Sequence, residues 1–212
     1  MLAANQVEGI ITSSHNLGIE SYSNSLLPIV AYDRHLSDNV PIVSEDNYQG
    51  GFLLGNYLVS QGAKNLLVLN DNDQSISPTS KRYNGFVDAV GSKSKISALD
   101  FDSNKISEPN IIQDIVKDIQ TQNIDGVFAY NDIMAIQLQN ALRTANIRVP
   151  EDVIVVGYDG SPIVQLLHPD LPTIIQPIHE AAQRLIEVLF AEINQQSTVK
   201  NDLLPVTLHE PK

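Results

Sequence analysis

Short polar side chains follow nearly every apolar run that predicts a β-strand in this sequence. They are Ser13, Ser14, Asp33, Asn70, Asp71, Asp102, Asn131, Asp132 and Asp159. In an open parallel α/β sheet the carboxyl ends of the strands meet at one edge, and ligands bind outside that edge. Any one of these residues could instead cap the following helix, and Asn131 is the clearest candidate for a cap. A capping residue can still contact a ligand, because both roles arise at the same edge.

The chemistry predicted for this edge suits a ligand rich in hydroxyl groups. Carboxylates accept hydrogen bonds, amides accept and donate, and Arg82 in the segment SKRYNGF adds a guanidinium with its fork of donors. The vicinal hydroxyls of a sugar require this mixture. Phe101, at the end of a predicted strand, could stack on a sugar ring or belong to the core. A phosphate or nucleotide site is not indicated, because neither G-x-G-x-x-G after a strand nor G-x-x-x-x-G-K-[ST] occurs.

Catalysis and metal binding find little support in the residue pattern. No G-x-S-x-G motif is present, and the five histidines lack metal-ligand spacing. The carboxylates of Glu45 and Asp46, or of Asp100 and Asp102, could serve a glycosidase only at a set separation, which the sequence does not give. We therefore expect no catalytic residue, no metal and no cofactor.

The charge and composition limit the partners of this chain. The net charge is −12 and the 13 lysines and arginines are scattered, so we expect these residues not to bind DNA themselves. No apolar run approaches the roughly 18 residues of a membrane span, and the opening MLAANQVEGIITSS lacks the pattern of a secretory signal. The absence of cysteine excludes disulfides and fits a reducing cytosol. These features predict a cytoplasmic protein without a membrane partner.

Short β-rich runs alternate with longer helical patterns, which predicts an α/β fold built on doubly wound parallel sheets. The predicted strands are Gly9–Thr12, Pro28–Tyr32, Asn65–Leu69, Lys95–Leu99, Gly126–Tyr130 and Val153–Gly157. The predicted helices are Asn47–Gln61, Ser80–Val90, Pro109–Thr121, Asn131–Ala145 and Ile178–Asn194. Two extended segments, Val43–Asp46 and Thr173–Pro177, are candidates for crossings between two lobes. A final edge strand is predicted over Leu203–His209.

Glycines are expected to mark helix ends and helix contacts. Gly62 and Gly91 directly follow predicted helices, where a left-handed residue favours glycine. Gly50, Gly51 and Gly55 lie inside the first predicted helix. Because a glycine inside a helix lowers its intrinsic stability, the better interpretation is that this helix packs closely against a neighbour.

Seven segments, taken in order, resemble the effector-binding core of the LacI/GalR family of transcription factors. They are VEGII (7–11), PIVAYDR (28–34), SEDNYQGG (44–51), RYNGF (82–86), FAYNDIMA (128–135), RVPEDVIVVGYDG (148–160) and HPDLPTIIQP (168–177). Each segment alone is weak, but their order and spacing extend the resemblance over nearly the whole chain. Glu8 stands where the family usually has aspartate.

The resemblance implies a two-lobed fold like that of periplasmic binding proteins, with an incomplete N-terminal lobe. We expect an N-terminal lobe from 1–45 and 178–202, and a C-terminal lobe from 46–176 and 203–212. Relatives of this kind are homodimers that bind operator DNA through an N-terminal helix-turn-helix domain, which we expect to be missing from this chain. Carried over by motif, the ligand contacts would be Arg82, Asn131, Asp159, Asp46, Gln176 and Phe101, with Phe101 only in approximate alignment.

Two function classes compete with a sugar-responsive repressor. The segments SSHN and DNYQGG resemble sucrose- and ribose-operon repressors, so the expected effector is ribose, sucrose or a related sugar. A periplasmic sugar-binding protein for transport shares the fold, although VPEDV…GYDG and LPTIIQP are more similar to the repressor branch. An enzyme on the same architecture is the third reading.

Overall fold

The structure is a computed structural model that describes residues 7–13, 25–71, 80–101 and 109–211. The side chains of Asp71, Phe101 and Pro109 lie outside that description, as do residues Ser14 and Asp102. The strands are β1 (Ile10–Thr12), β2 (Ile29–Tyr32), β3 (Ile42–Glu45), β4 (Asn65–Asp71), β5 (Lys95–Phe101), β6 (Gly126–Phe128), β7 (Ile154–Asp159), β8 (Thr173–Ile175), β9 (Asn201–Leu204) and β10 (Thr207–His209). The helices are α1 (Asn47–Ser60), α2 (Lys81–Val90), α3 (Pro109–Gln122), α4 (Asp132–Thr144), α5 (Pro162–Leu167) and α6 (Ile178–Ile193).

The chain divides into two compact units, each with its own sheet. The described residues of unit 1 are 7–13, 25–47, 80–81 and 177–206. Those of unit 2 are 48–71, 82–101, 109–176 and 207–211. The extended segments that end near Asp46 and Gln176 therefore run up to boundaries between the units.

Unit 1 is built on the parallel sheet β1-β2-β3-β9. Its central strands β2 and β3 are short runs of mostly buried residues, because both faces of the sheet are covered there. Ile29, Ala31, Val40 and Ile42 form a buried cluster on one side. On the other side, Val30 and Val43 pack against Leu185 and Val188, which lie on one stripe of α6.

Unit 2 is built on the sheet β10-β8-β7-β6-β4-β5, in which only β10 is antiparallel to its neighbour among the described strands. Its core joins the sheet to α3 and α4. Members of that core are Leu67, Leu69, Val127, Val155, Ile115, Ile119, Leu138 and Leu142. Because five neighbouring strands run in the same direction, their carboxyl ends lie at one edge of the sheet, as the sequence predicted.

Several local predictions are confirmed. Asn131 caps α4, since its side chain accepts a hydrogen bond from the Met134 N–H at 2.9 Å. Gly62 and Gly91 adopt positive φ angles of 89° and 54° after α1 and α2. These left-handed residues end their helices without the steric penalty that a Cβ would bring.

Two features at the end of the chain differ from the sequence prediction. The single edge strand expected over Leu203–His209 is two strands: β9 pairs parallel to β3, and β10 pairs antiparallel to β8. Pro205 and Val206 interrupt the run between them. Since proline donates no ladder hydrogen bond, it favours such a break.

The helix α5 was missed altogether. It spans only six residues, too few for a helical period to be visible in the sequence. Its start nevertheless carries two helix signals: Ser161 accepts from the Val164 N–H at 3.4 Å, and Pro162 occupies the first turn.

Candidate ligand-binding site

The carboxyl edge of the unit 2 sheet brings together four of the predicted ligand contacts. Gln176 follows β8, Asp159 ends β7 and Asn131 follows β6, and these three strands are neighbours in the sheet. Arg82 reaches the same edge from the first turn of α2. All four side chains are half-buried rather than fully exposed or fully enclosed. Their role in binding stays a prediction.

Arg82 is held over an aromatic ring. Its guanidinium carbon lies 3.6 Å from the centroid of the Tyr158 ring, and Nη1 donates to the Tyr130 carbonyl oxygen at 3.5 Å. Tyr158 is fully buried, so the ring is a fixed platform. A guanidinium over an aromatic face gains about 0.5–2 kcal/mol, more when water is excluded. The arginine is therefore oriented before any ligand arrives.

Close packing of α1 against α2 sets the position of Arg82. A Cβ at Gly51 would lie 1.9 Å from the Arg82 carbonyl oxygen, and one at Gly85 would lie 2.0 Å from the Tyr48 carbonyl oxygen. Both contacts are with backbone, which cannot move aside as a side-chain tip can. This confirms close helix packing as the reason for glycines inside α1. Gly50 extends the effect to the ring, since a Cβ there would lie 2.3 Å from the Tyr158 hydroxyl.

Asp159 ends β7 in an unusual backbone conformation, with φ at +119°. Residues other than glycine rarely adopt positive φ, and such strain gathers at functional sites. Gln176 Nε2 donates to Asp159 Oδ1 at 3.1 Å, and the Gln176 N–H donates to the Asp159 carbonyl at 3.2 Å. The Asp159 carboxylate and the Gln176 amide therefore lie side by side at the ends of the adjacent strands β7 and β8.

Asp132 and Tyr158 are the two residues of this site that sequence reasoning did not assign. Asp132 is 2% exposed, accepts from Thr173 Oγ1 at 2.5 Å and from the Gly160 N–H at 2.8 Å. Burial raises the pKa of Asp132 above its ordinary value, although these hydrogen bonds oppose the shift. The sequence alone does not reveal the role of either residue. Asp132 is one of several polar residues that follow predicted strands, and a tyrosine inside VVGYDG resembles any core aromatic.

Asp46 belongs to unit 1, among a second group of polar residues at the ends of β2 and β3. Its N–H donates to the Leu204 carbonyl at 2.8 Å. Its neighbour Glu45 is 1% exposed and accepts a hydrogen bond from the Tyr32 hydroxyl. Asn47 Nδ2 donates to Asp33 Oδ1 at 3.0 Å, which fixes the turn after β2.

Of the two carboxylate pairs that a glycosidase could use, only Glu45 and Asp46 lie wholly within the described residues. Glu45, the last residue of β3, is buried, whereas Asp46 just beyond the strand is half-buried. Asp100 accepts from Asn70 Nδ2 at 3.1 Å across β4 and β5, and Asp102 lies outside the described residues. The side chain of Phe101 is not described either, so its stacking role is untested. In the described ranges, no three His, Asp or Glu side chains are grouped to hold a metal ion.

A depression of about 600 Å³ lies elsewhere, at the amino ends of the unit 1 strands. Glu8, Pro28, Val40 and Glu192 are among its lining residues, and none of the predicted ligand contacts whose side chains are described lines it. Ligands of open parallel sheets bind at the opposite, carboxyl ends. The polar edge of unit 2 is therefore the stronger candidate site.

Comparison with known proteins places this geometry in a family. Residues 56–210 match the family model described as a periplasmic binding protein-like domain. A periplasmic binding protein/LacI transcriptional regulator from Alkaliphilus metalliredigens, whose crystal structure is a complex with D-xylulofuranose, is 33% identical. That match has a TM-score of 0.85 and covers 100% of this chain and 79% of that one. The chain belongs to the LacI family. The resemblance inferred from the seven sequence segments and the α/β fold class are thereby confirmed.

The LacI-family chain is also similar to curated repressors. It is 39% identical over 208 residues to the sucrose operon repressor of Streptococcus mutans, covering 98% of this chain and 64% of that repressor. It is 31% identical over 209 residues to the ribose operon repressor of Bacillus subtilis, covering 96% of this chain and 62% of that one. The chain thus spans less than two thirds of the length of these relatives. Within its described part, no helix is long and apolar enough to cross a membrane.

Proposed function

We propose that this chain is the effector-binding core of a sugar-responsive transcriptional repressor that regulates a carbohydrate-utilisation operon. The observation that carries the proposal is the edge of unit 2, where Arg82, Asn131, Asp159 and Gln176 meet at the carboxyl ends of adjacent strands. Similarity to sucrose and ribose operon repressors supports the same conclusion.

The site supplies each kind of hydrogen bond that a sugar needs. Asp159 accepts from hydroxyl groups, Arg82 donates to hydroxyl or ring oxygens, and the Gln176 amide adds an accepting oxygen. The Asn131 oxygen caps α4, so its amide nitrogen is the group offered to the ligand. Ribose, sucrose or a related sugar is the expected effector. Phe101 would add a stacking face.

Operator DNA and a second copy of the protein are the proposed macromolecular partners. The chain carries a net charge of −12, so its own surface is unsuited to DNA. A helix-turn-helix domain elsewhere in the complete protein would bind the operator, and the protein would act as a cytoplasmic homodimer. The core itself is proposed to have no catalytic activity, no cofactor and no membrane partner.

Operator binding by the complete gene product tests this function. We would follow the fluorescence anisotropy of labelled promoter DNA while adding D-ribose, sucrose or D-xylulose. An effector is expected to change operator affinity about 5- to 150-fold, the usual range of allosteric coupling. A protein that binds a sugar but no promoter fragment would instead fit the transport reading. Recovery of a chemically altered sugar would contradict the absence of catalysis.

Tyr158 is expected to support sugar binding without contacting the sugar. Replacement by leucine removes the ring beneath the Arg82 guanidinium, whereas phenylalanine retains it. Loss of about 1–2 kcal/mol of cation–π support corresponds to a roughly 5- to 30-fold weaker sugar affinity in Tyr158→Leu, measured by calorimetry. Tyr158→Phe is the matched control and should bind nearly as the parent does. Equal sugar affinities of Tyr158→Leu and Tyr158→Phe would show that the aromatic ring beneath Arg82 has no role in binding.

A further inference from the structure

We propose that Asp132 is a positioning residue that holds Asp159 in the orientation needed to bind the sugar. The inference rests on the proposed function, because it assigns a role to a residue behind the same site. Asp132 would act without touching the ligand. It differs from Asn131, its neighbour in the sequence, which lies at the edge itself.

The carboxylate of Asp132 brackets Asp159. It accepts a hydrogen bond from the Gly160 N–H at 2.8 Å and a further backbone hydrogen bond from Tyr158. These two residues immediately precede and follow Asp159. One side chain therefore fixes the peptide groups on both sides of the proposed ligand contact.

The bracketed segment requires such support. Asp159 and Gly160 have successive positive φ angles of 119° and 57°. A non-glycine residue in this region is strained and persists only where surrounding contacts determine it. Rotation of Asp159 towards an ordinary strand conformation would redirect its carboxylate away from Gln176. The hydrogen bonds that Asp132 accepts from Tyr158 and Gly160 oppose that rotation.

The oxygens of Asp132 accept hydrogen bonds from residues of the sheet and the turn after β7, and they do not cap its own helix. It occupies the first turn of α4, but Asn131 provides the helix cap. Thr173 on β8 donates to Asp132 Oδ1, so the carboxylate also ties β7 to the strand that precedes Gln176. The fit is tight, since a Cβ at Gly157 would lie 2.3 Å from Asp132 Oδ1.

The burial of a carboxylate here also favours a specific role. Asp132 is 2% exposed, and burial raises its pKa, which means that the ionised form is disfavoured by desolvation. Buried carboxylates are rare unless they are paired or hydrogen-bonded. An apolar or amide side chain of similar size would avoid the buried charge. An amide, however, accepts hydrogen bonds through its oxygen only, whereas both oxygens of a carboxylate accept them.

Asp132→Asn is the decisive variant, with Asp125→Asn as its matched control. Asp125 likewise accepts from two consecutive backbone N–H groups, those of Lys64 and Asn65 at 2.8–3.0 Å, but at the opposite end of the sheet. Thr173→Val is a second variant that removes one hydrogen bond to Asp132 and leaves the bonds to Tyr158 and Gly160. All three are made in the 212-residue chain.

Amide hydrogen exchange provides a readout that needs no ligand. In Asp132→Asn, the amide of Tyr158 or Gly160 should exchange at least about tenfold faster, because an amide has one accepting oxygen where the carboxylate has two. The amides of Lys64 and Asn65 should keep their protection in Asp132→Asn, because their acceptor is Asp125 at the opposite end of the sheet. Unchanged exchange at both Tyr158 and Gly160 in Asp132→Asn, or unprotected exchange there in the parent chain, would overturn the positioning role.

Sugar affinity provides the second readout, with D-ribose, sucrose and D-xylulose as probes. Asp132→Asn should bind the parent's sugar about tenfold or more weakly, and Asp125→Asn should stay within about threefold of the parent. Thr173→Val should lose less affinity than Asp132→Asn, because the hydrogen bonds to Tyr158 and Gly160 remain. An equal loss of sugar affinity in Asp132→Asn and Asp125→Asn would contradict the positioning role, because it would show that Asp132 contributes only general stability. A parent chain that binds none of the three sugars contradicts the proposed function, and the exchange result still decides the positioning role.

Discussion

Replacing Arg82 with alanine is expected to weaken sugar binding by about ten- to a hundredfold, because a half-buried charged donor contributes about 1.5–3 kcal/mol. The effect should exceed that of an average contact, since Tyr158 and the Tyr130 carbonyl fix the guanidinium before the ligand binds. Isothermal titration calorimetry of the parent and of Arg82→Ala with the same sugar measures the difference.

Arg148→Ala is the matched control for this loss of positive charge. Arg148 also lies in unit 2, but it is exposed and paired with Asp152. Its guanidinium lowers the pKa of Asp152 to about 2, so an increase of that pKa in Arg148→Ala verifies that the pair was broken. Sugar affinity should not change in this control. Equal affinity in Arg82→Ala and the parent would remove Arg82 from the site.

Gly51→Ala is expected to be strongly destabilising. A methyl group at this position would lie 1.9 Å from the Arg82 carbonyl oxygen, so the helices α1 and α2 must separate. Overpacking of this kind destabilises by roughly 1–3 kcal/mol or more, which outweighs the gain of about 1 kcal/mol in helix propensity. For a chain of this size, each kcal/mol lowers Tm by roughly 2–4 °C, as calorimetry or circular dichroism would measure.

Gly62→Ala separates steric overlap from backbone strain. Gly62 has a φ of +89°, but no atom lies within 4 Å of a Cβ built there. This variant should destabilise by the strain alone, about 1–2 kcal/mol, and should bind sugar as the parent does. Gly51→Ala should also weaken sugar binding at temperatures where it is folded, because it displaces the backbone of Arg82. A Gly51→Ala protein as stable as the parent would refute the close approach of the two helices.

The parts of the fold that the sequence predicted are those with local causes. Continuous apolar runs predicted the buried parallel strands, and the amide of Asn131 predicted a cap. Gly62 and Gly91 predicted helix ends, because a left-handed turn favours glycine in any context. The order of strands then brought Asn131, Asp159 and Gln176 to one edge without further assumptions.

The parts that were missed depend on partners distant in the chain. Tyr158 is a platform only because Arg82, 76 positions earlier, lies over its ring. Asp132 resembles any first-turn acid of a helix until Gly160 and Thr173 are known to donate to it. The run Leu203–His209 divides because β9 pairs with β3 in one sheet and β10 pairs with β8 in the other. A short apolar run does not by itself indicate which strand it will pair with.

Residue-specific NMR of the 212-residue chain tests the central claim most directly. Addition of D-ribose, sucrose or D-xylulose to ¹⁵N-labelled protein should shift the amide resonances of residues 130–132, 158–160 and 176, together with Arg82. The amides of Lys64 and Asn65, at the opposite end of the unit 2 sheet, should stay in place. Shifts confined to the depression around Glu8, Pro28 and Val40, or no shift with any of the three sugars, would contradict a sugar site at the carboxyl edge of unit 2.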